Sequence, residues 1–336
     1  MKKNILLSLF LLIFTFSLFA EKKSIKYQDY NLNVFYKDLL QPGDAVFVKL
    51  NLETKNKKFI KNLGERLFDS GALELYRVLE NGNLTEKTVA KAKFYEISYN
   101  KTAKIVNLSL LSAVPLSTYA KTGDYVAKIS FSALGKPEEH ISVPIKIIEK
   151  EFISETIPLN ATNTAIRTNN SDERKNQIER LNAILGSKNY GSVYETSRFV
   201  PPNPATRRTS FFGDRRVFAY SNGKSSTSLH YGIDYGVPTG SEVRVCGRGK
   251  VVMAENRITT GWSICIEHLP GLYSLYYHMD EMKVSLGQIV EKGELIGLSG
   301  CTGLATGPHL HWEVRLNMEA ISPDFMTEDF AFSDEM

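Results

Sequence analysis

Short runs of alternating polar and apolar residues, each closed by a turn former, dominate the first half of this 336-residue chain. Such runs occupy 45–52, behind Pro42, Gly43 and Asp44, and 72–79, ahead of Asn81, Gly82 and Asn83, with others at 104–111, 125–131 and 141–148. A period of two sets successive side chains on opposite sides of an extended chain, so each run can bury one face and wet the other. The expected product is stacked antiparallel strands. Hydrophobic residues at 43% and charged residues at 23% suffice for packed cores and exclude a disordered or collagen-like chain.

Residues 24–155 therefore read as a β-sandwich of immunoglobulin-like type. His140 is its only histidine and is expected at the surface. Ahead of it, Lys2 and Lys3 precede an apolar run from Ile5 to Phe19 that ends at Ala20, and residues 1–20 read as a secretory signal, too short in its apolar part to span a membrane. Export to the periplasm or cell envelope, with a mature chain starting near Glu21, is the expectation. The net charge of +4 is too small to argue for nucleic acid, and it divides into +8 over 1–199 and −4 over 200–336, as two modules with different surfaces would.

Residues 156–205 read as a connector holding one helix at 171–186. Ser171 is placed to cap it, Asp172 and Glu173 suit its positive end, Ile178, Leu181 and Leu185 form its apolar stripe, and Gly186 ends it. The back module, 206–325 with a tail at 326–336, again reads as nearly all β. Cys246, Cys265 and Cys301 match no metal-binding spacing; Cys246 and Cys265 sit in strand-like runs where buried free thiols are common, with a single disulfide as the alternative.

Five of the six histidines lie in the back module. His230 and Asp234 stand four apart among glycines, where a bent strand or loop must join them, either as metal ligands or as a plain hydrogen-bonded pair. In 309–314 the strand period places His309, His311 and Glu313 on one face and Leu310, Trp312 and Val314 on the other. His278 ends the aromatic run Leu275-Tyr276-Tyr277, and His268, before Leu269-Pro270-Gly271, is expected at a surface turn.

Together with Phe212-Gly213-Asp214-Arg215-Arg216, the glycine-bounded stretch from Gly287 to Gly297, and Thr302-Gly303-Leu304-Ala305-Thr306-Gly307-Pro308-His309-Leu310-His311, these elements resemble the lysostaphin-like zinc peptidases of the M23 family over residues 209–323. The resemblance implies a mainly β protein whose C-terminal antiparallel β-sheet domain is a zinc peptidase. It implies one Zn2+ held by His230, Asp234 and His311, with His309 as general base and His278 as stabiliser of the oxyanion. It further implies a monomer that hydrolyses peptide cross-links or stems of peptidoglycan, with a regulatory envelope protein as its one further partner. A degenerate member that binds the wall and activates an amidase is the alternative, disfavoured because all five positions are filled. The front domain and the 171–186 helix are expected either to dock beside the cleft and restrict entry of peptidoglycan until a partner or the wall displaces them, or to hold the catalytic module at a fixed distance from the membrane or wall.

Overall fold

The structure, a computed structural model, describes residues 21–61 and 67–328. The expected signal segment and nearly all of the tail lie outside the described residues. Two five-stranded sheets form the front module among these residues. One runs in the order Glu21–Lys26, Asn31–Tyr36, Ala45–Thr54, Val106–Pro115, Tyr95–Lys101, and the other Leu39–Leu40, Glu139–Ile147, Gly123–Ala133, Phe68–Arg77, Ala90–Lys93. Without its first strand, this is the strand order of an immunoglobulin sandwich. The period-two rule is visible in Glu139–Ile147, which buries Ile141, Val143, Ile145 and Ile147 and exposes His140 and Ser142. Their partners across the sandwich include Leu32, Leu50 and Leu110, all in one apolar core.

The back module is built on a sheet running Arg208–Ser210, Gly232–Tyr235, Leu310–Leu316, Leu272–Met282, Gly261–Leu269, Gly249–Arg257, Ile289–Val290. Its two faces have different tasks. Tyr276, Trp312, Ile264 and Ile266 point to one side, into a core continuous with that of the sandwich. Tyr273, Leu275, Tyr277 and Cys265 point to the other, where the helix Asp172–Gly186 packs.

The modules are locked together. Phe47 stacks on Phe325 at 6.1 Å between centroids, Arg215 donates to Thr118 O at 3.0 Å, and Ser322 N donates to Gly43 O at 2.7 Å. Gly43, at φ +91°, allows a close approach: a Cβ there would lie 2.4 Å from Cε1 of Phe212.

The connector differs from expectation. Its first residues belong to a strand, Ser154–Pro158, paired in parallel with Arg215–Ala219 of the back module. Two helices follow within 156–205, Ala161–Thr168 and Asp172–Gly186, where one was expected. The first carries no hydrophobic stripe. Asn160 caps it by accepting from Asn163 N, and polar side chains anchor it: Asn163 Nδ2 donates to Ala305 O at 3.1 Å, and Thr164 Oγ1 accepts from Ser221 N at 3.0 Å. The second is capped by Ser171 and packs through Leu181, Ile184 and Leu185, while Ile178 is exposed. Gln177 is buried instead, with its Oε1 accepting from Ile258 N and its backbone carbonyl from Arg257.

His268 is not at the surface. The tight turn after Leu269 leaves it inside the strand Gly261–Leu269, fully buried, with Nδ1 2.8 Å from Arg248 O and Nε2 2.7 Å from Ser274 Oγ. Burial pushes its pKa down from 6.5 to about 4. The unfolded chain takes up this proton near pH 6.5 and the folded chain only near 4, so the stability held by the neutral ring is complete above 6.5 and lost as pH falls toward 4. The size is about 3 kcal/mol at most. In denaturant titrations, His268→Gln is expected to flatten the fall of stability between pH 6.5 and 4 by close to one proton; an unchanged slope would contradict this. All three cysteines are free, Cys246 and Cys265 buried and Cys301 exposed.

Candidate metal and catalytic site

Antiparallel register brings the site together. Gly232–Tyr235 pairs with Leu310–Leu316 so that Asp234 lies opposite His311, and Gly232 permits it, since a Cβ there would sit 2.2 Å from the Trp312 carbonyl oxygen. His230, just before this strand, is fixed by its own backbone: its N–H donates to Asp214 O at 2.9 Å and its carbonyl accepts from Gly213 N at 2.8 Å. In the same strand as His311, Glu313 points to the same side.

Three donor atoms meet. His230 Nε2 lies 3.1 Å from Asp234 Oδ1 and 3.0 Å from His311 Nδ1, and His311 Nδ1 lies 2.7 Å from Asp234 Oδ1. The remaining ring nitrogens face acceptors, His230 Nδ1 at 2.8 Å from Phe211 O and His311 Nε2 at 3.0 Å from Glu313 Oε1. With a proton held on each outer nitrogen, both inner nitrogens turn a lone pair toward the same point as the carboxylate oxygen. Metal-ligating imidazoles are oriented in this way. The set is fit to hold a metal ion, and two imidazoles with a carboxylate suit zinc.

Without a metal, burial works against charging His311, yet its hydrogen bonds to Asp234 and Glu313 raise its pKa to about 9, so its Nδ1 holds a proton that a bound metal ion would displace. Burial equally opposes ionising Asp234, but His230 and His311 hold it well below the usual carboxylate range; Arg315 and His311 do the same for Glu313, bringing it to about 2. Two ionised buried carboxylates thus draw a cation to the point where the donors converge. Burial lowers the pKa of His230, which keeps that ring neutral, as a ligand must be.

The two further histidines expected at the site are there. His309 precedes the strand, with Nδ1 2.8 Å from Gly307 O and Nε2 3.8 Å from Asp234 Oδ1. His278 is 4.7 Å from it between ring centroids. It has φ +60°, a conformation rare for a residue other than glycine, imposed by the bulged end of Leu272–Met282 and held by Nδ1 at 2.7 Å from Thr302 O. That turn aims the ring at the cleft where a regular strand would not.

Several supporting residues were given no role by the sequence. Arg216 donates through Nη2 to Asp234 Oδ2 at 2.9 Å and through Nε to Glu155 Oε1 at 3.0 Å, so a residue of the connector strand positions a candidate ligand. Tyr277 stacks on His311 at 5.3 Å, and Arg315 donates to Glu313 Oε2 at 2.7 Å. Glu313 was legible on the histidine face, but its partnership with His311 was not. Groups that orient ligands typically contribute 10- to 100-fold to metal affinity. Glu313→Gln is accordingly expected to weaken zinc binding by about tenfold or more, read by competition with a chromophoric chelator; unaltered affinity would exclude an orienting role. A cleft of about 230 Å³ lies over these groups and is walled in part by Ile157, Leu159 and Arg167 of the connector.

A sheet-borne His-Asp-His donor set, with two more imidazoles beside it in an open cleft, is the make-up of a hydrolase site built to take a metal ion. Residues 228–323, within the back module, match Peptidase family M23. Peptidoglycan DD-endopeptidase ShyA of Vibrio cholerae is 30% identical over 168 residues, 50% of this chain and 38% of that protein. DD-carboxypeptidase/endopeptidase Mpg of Neisseria meningitidis is 39% identical over 95 residues, 28% of this chain and 22% of that protein. The chain thus spans less than two thirds of the curated relatives it matches. Among solved structures, the catalytic domain of the antimicrobial peptidase lysostaphin from Staphylococcus simulans aligns at 28% identity over 35% of this chain and 88% of that one, with a TM-score of 0.31.

Proposed function

We propose that this protein is a zinc-dependent endopeptidase that hydrolyses peptide cross-links or stems of bacterial peptidoglycan in the cell envelope. The observation that carries the reading is the meeting of His230 Nε2, Asp234 Oδ1 and His311 Nδ1 beside His309 and His278. The relative named as a peptidoglycan DD-endopeptidase supports the substrate class, and the one named as a DD-carboxypeptidase/endopeptidase supports peptide hydrolysis. They also support an envelope location, as does the charged, short apolar segment at 1–20; among the described residues no helix is long and apolar enough to cross a membrane.

His230, Asp234 and His311 would hold the zinc and leave a fourth position to water. When bound, the ion supplies a more acidic water and a polarised carbonyl. His309 gives its Nδ1 proton to Gly307 O, so its bare Nε2 is the base for the attacking water and returns the proton to the leaving amine. His278 was expected to stabilise the oxyanion, which needs a proton on Nε2. Burial, with His309 and His311 nearby, pushes its pKa down to about 3 and keeps the ring neutral, and its Nδ1 proton is given to Thr302 O. We therefore assign His278 Nε2 to orienting the water as an acceptor. The connector fits a role in positioning the residues of the site better than a barrier, because Glu155 and both connector helices are built into the walls and supports of the site.

Digestion of purified peptidoglycan with mass identification of the fragments tests the proposal. New peptide termini are expected with zinc-loaded protein and none after chelation. Release of intact stems only in the presence of an added amidase would favour the amidase-activating alternative.

A further inference from the structure

Arg167, in the last turn of Ala161–Thr168, lines the cleft with His230, Asp234, His309 and His311. Its guanidinium lies over the Phe218 ring, 4.5 Å from the centroid, and among the described residues its single polar contact is Nη2 to Ser226 Oγ at a long 3.5 Å. The other arginines near the donors are spent, Arg216 on Asp234 and Glu155 and Arg315 on Glu313. Among the described residues, no carboxylate pairs with Arg167. Its neighbour on the next helix, Arg174, also meets only neutral oxygens, Thr259 Oγ1 at 3.3 Å and Asn169 O at 2.6 Å.

A guanidinium offers five donors in a planar fork that matches a carboxylate. Stacked on an aromatic ring and carried by a helix pinned through Asn163 to Ala305 of the cleft wall and through Thr164 to Ser221, this fork has lost most of its freedom beforehand. Binding to a preorganised group costs less entropy. Arg167 also opposes Asp234 and Glu313, whose charges would otherwise repel an anionic peptide. We propose that Arg167 is a specificity-determining residue that binds a substrate carboxylate, so that the cleft selects an acidic peptide. This rests on the peptidase reading and names the chemistry of the peptide it takes.

The test compares two peptides that differ only in a free carboxylate or a carboxamide next to the scissile bond. Affinity for the chelator-treated full chain is measured by calorimetry, and KM and kcat with the zinc-loaded enzyme. The unaltered protein is expected to bind the acid about tenfold more tightly than the amide, as a charge-assisted fork would. Arg167→Gln should bring the ratio near one, Arg167→Lys should keep part of it, and Arg180→Gln, on an outward pair with Glu255, should leave it intact. A ratio unchanged in Arg167→Gln, or no preference in the unaltered protein, would overturn the proposal. So would tighter binding of both peptides by Arg167→Gln, which would mark Arg167 as a barrier. Preferential binding of the acid without hydrolysis would refute the peptidase reading and leave this one standing.

Discussion

His230→Ala, Asp234→Ala and His311→Ala are each expected to lose zinc and hydrolysis together, whereas His309→Ala keeps zinc and loses activity by about a thousandfold, within the range for removal of a general base. The contrast follows from position along one strand. His311 turns Nδ1 into the donor cluster and braces Nε2 on Glu313, while His309 stands beside the cluster with only its Nε2 near Asp234, at 3.8 Å. Asp234→Ala carries a second cost, since Arg216, half-buried beside the cluster, is left with one carboxylate partner in place of two. Metal content by elemental analysis, alongside the rate on peptidoglycan, checks both halves. Zinc lost from His309→Ala as fully as from His311→Ala would place the ligand and the base wrongly.

A truncation beginning at Thr206 is expected to hydrolyse a small soluble peptide at least a hundredfold more slowly than the full mature chain. It removes Glu155 from Arg216, Leu159 from the cleft wall, and Leu181, Ile184 and Leu185 from Met253, Tyr273 and Tyr277, exposing an apolar face of the sheet that carries the site. Glu155→Gln in the full chain isolates the polar part and should lower activity about tenfold, as loss of a group orienting a ligand's partner does. A faster truncation, folded and holding zinc, would show that these segments obstruct the cleft and would contradict the positioning role.

The sandwich was legible because its strands bury one face each, and a period of two survives in a linear reading; Ile141, Val143 and Ile145 are an example. The five candidate site residues were legible for a different reason: His230 and Asp234, and His309 and His311, stand at tight spacings, and the resemblance to the M23 family singled them out together with His278. What stayed hidden depends on contacts across long stretches of chain. Arg216 meets Glu155 across 61 positions, and Asn163 meets Ala305 across 142. The helix Ala161–Thr168 escaped because its hold on the protein is polar and leaves no apolar stripe to read. His268 escaped because its backbone stands at the edge of a turn while its ring faces the core, and a turn signal says nothing of which side a neighbour faces.

The central claim is that the metal set and its two histidines cut a peptide bond of the cell wall. A purified, peptide-linked muropeptide dimer, incubated with zinc-loaded protein and followed by mass, tests it most directly. The account predicts two products whose masses sum to the dimer plus one water, with the glycan and the amide to the stem intact, and no conversion by His309→Ala. An undigested dimer with fully zinc-loaded, folded protein, or cleavage confined to the amide between glycan and stem, would contradict it.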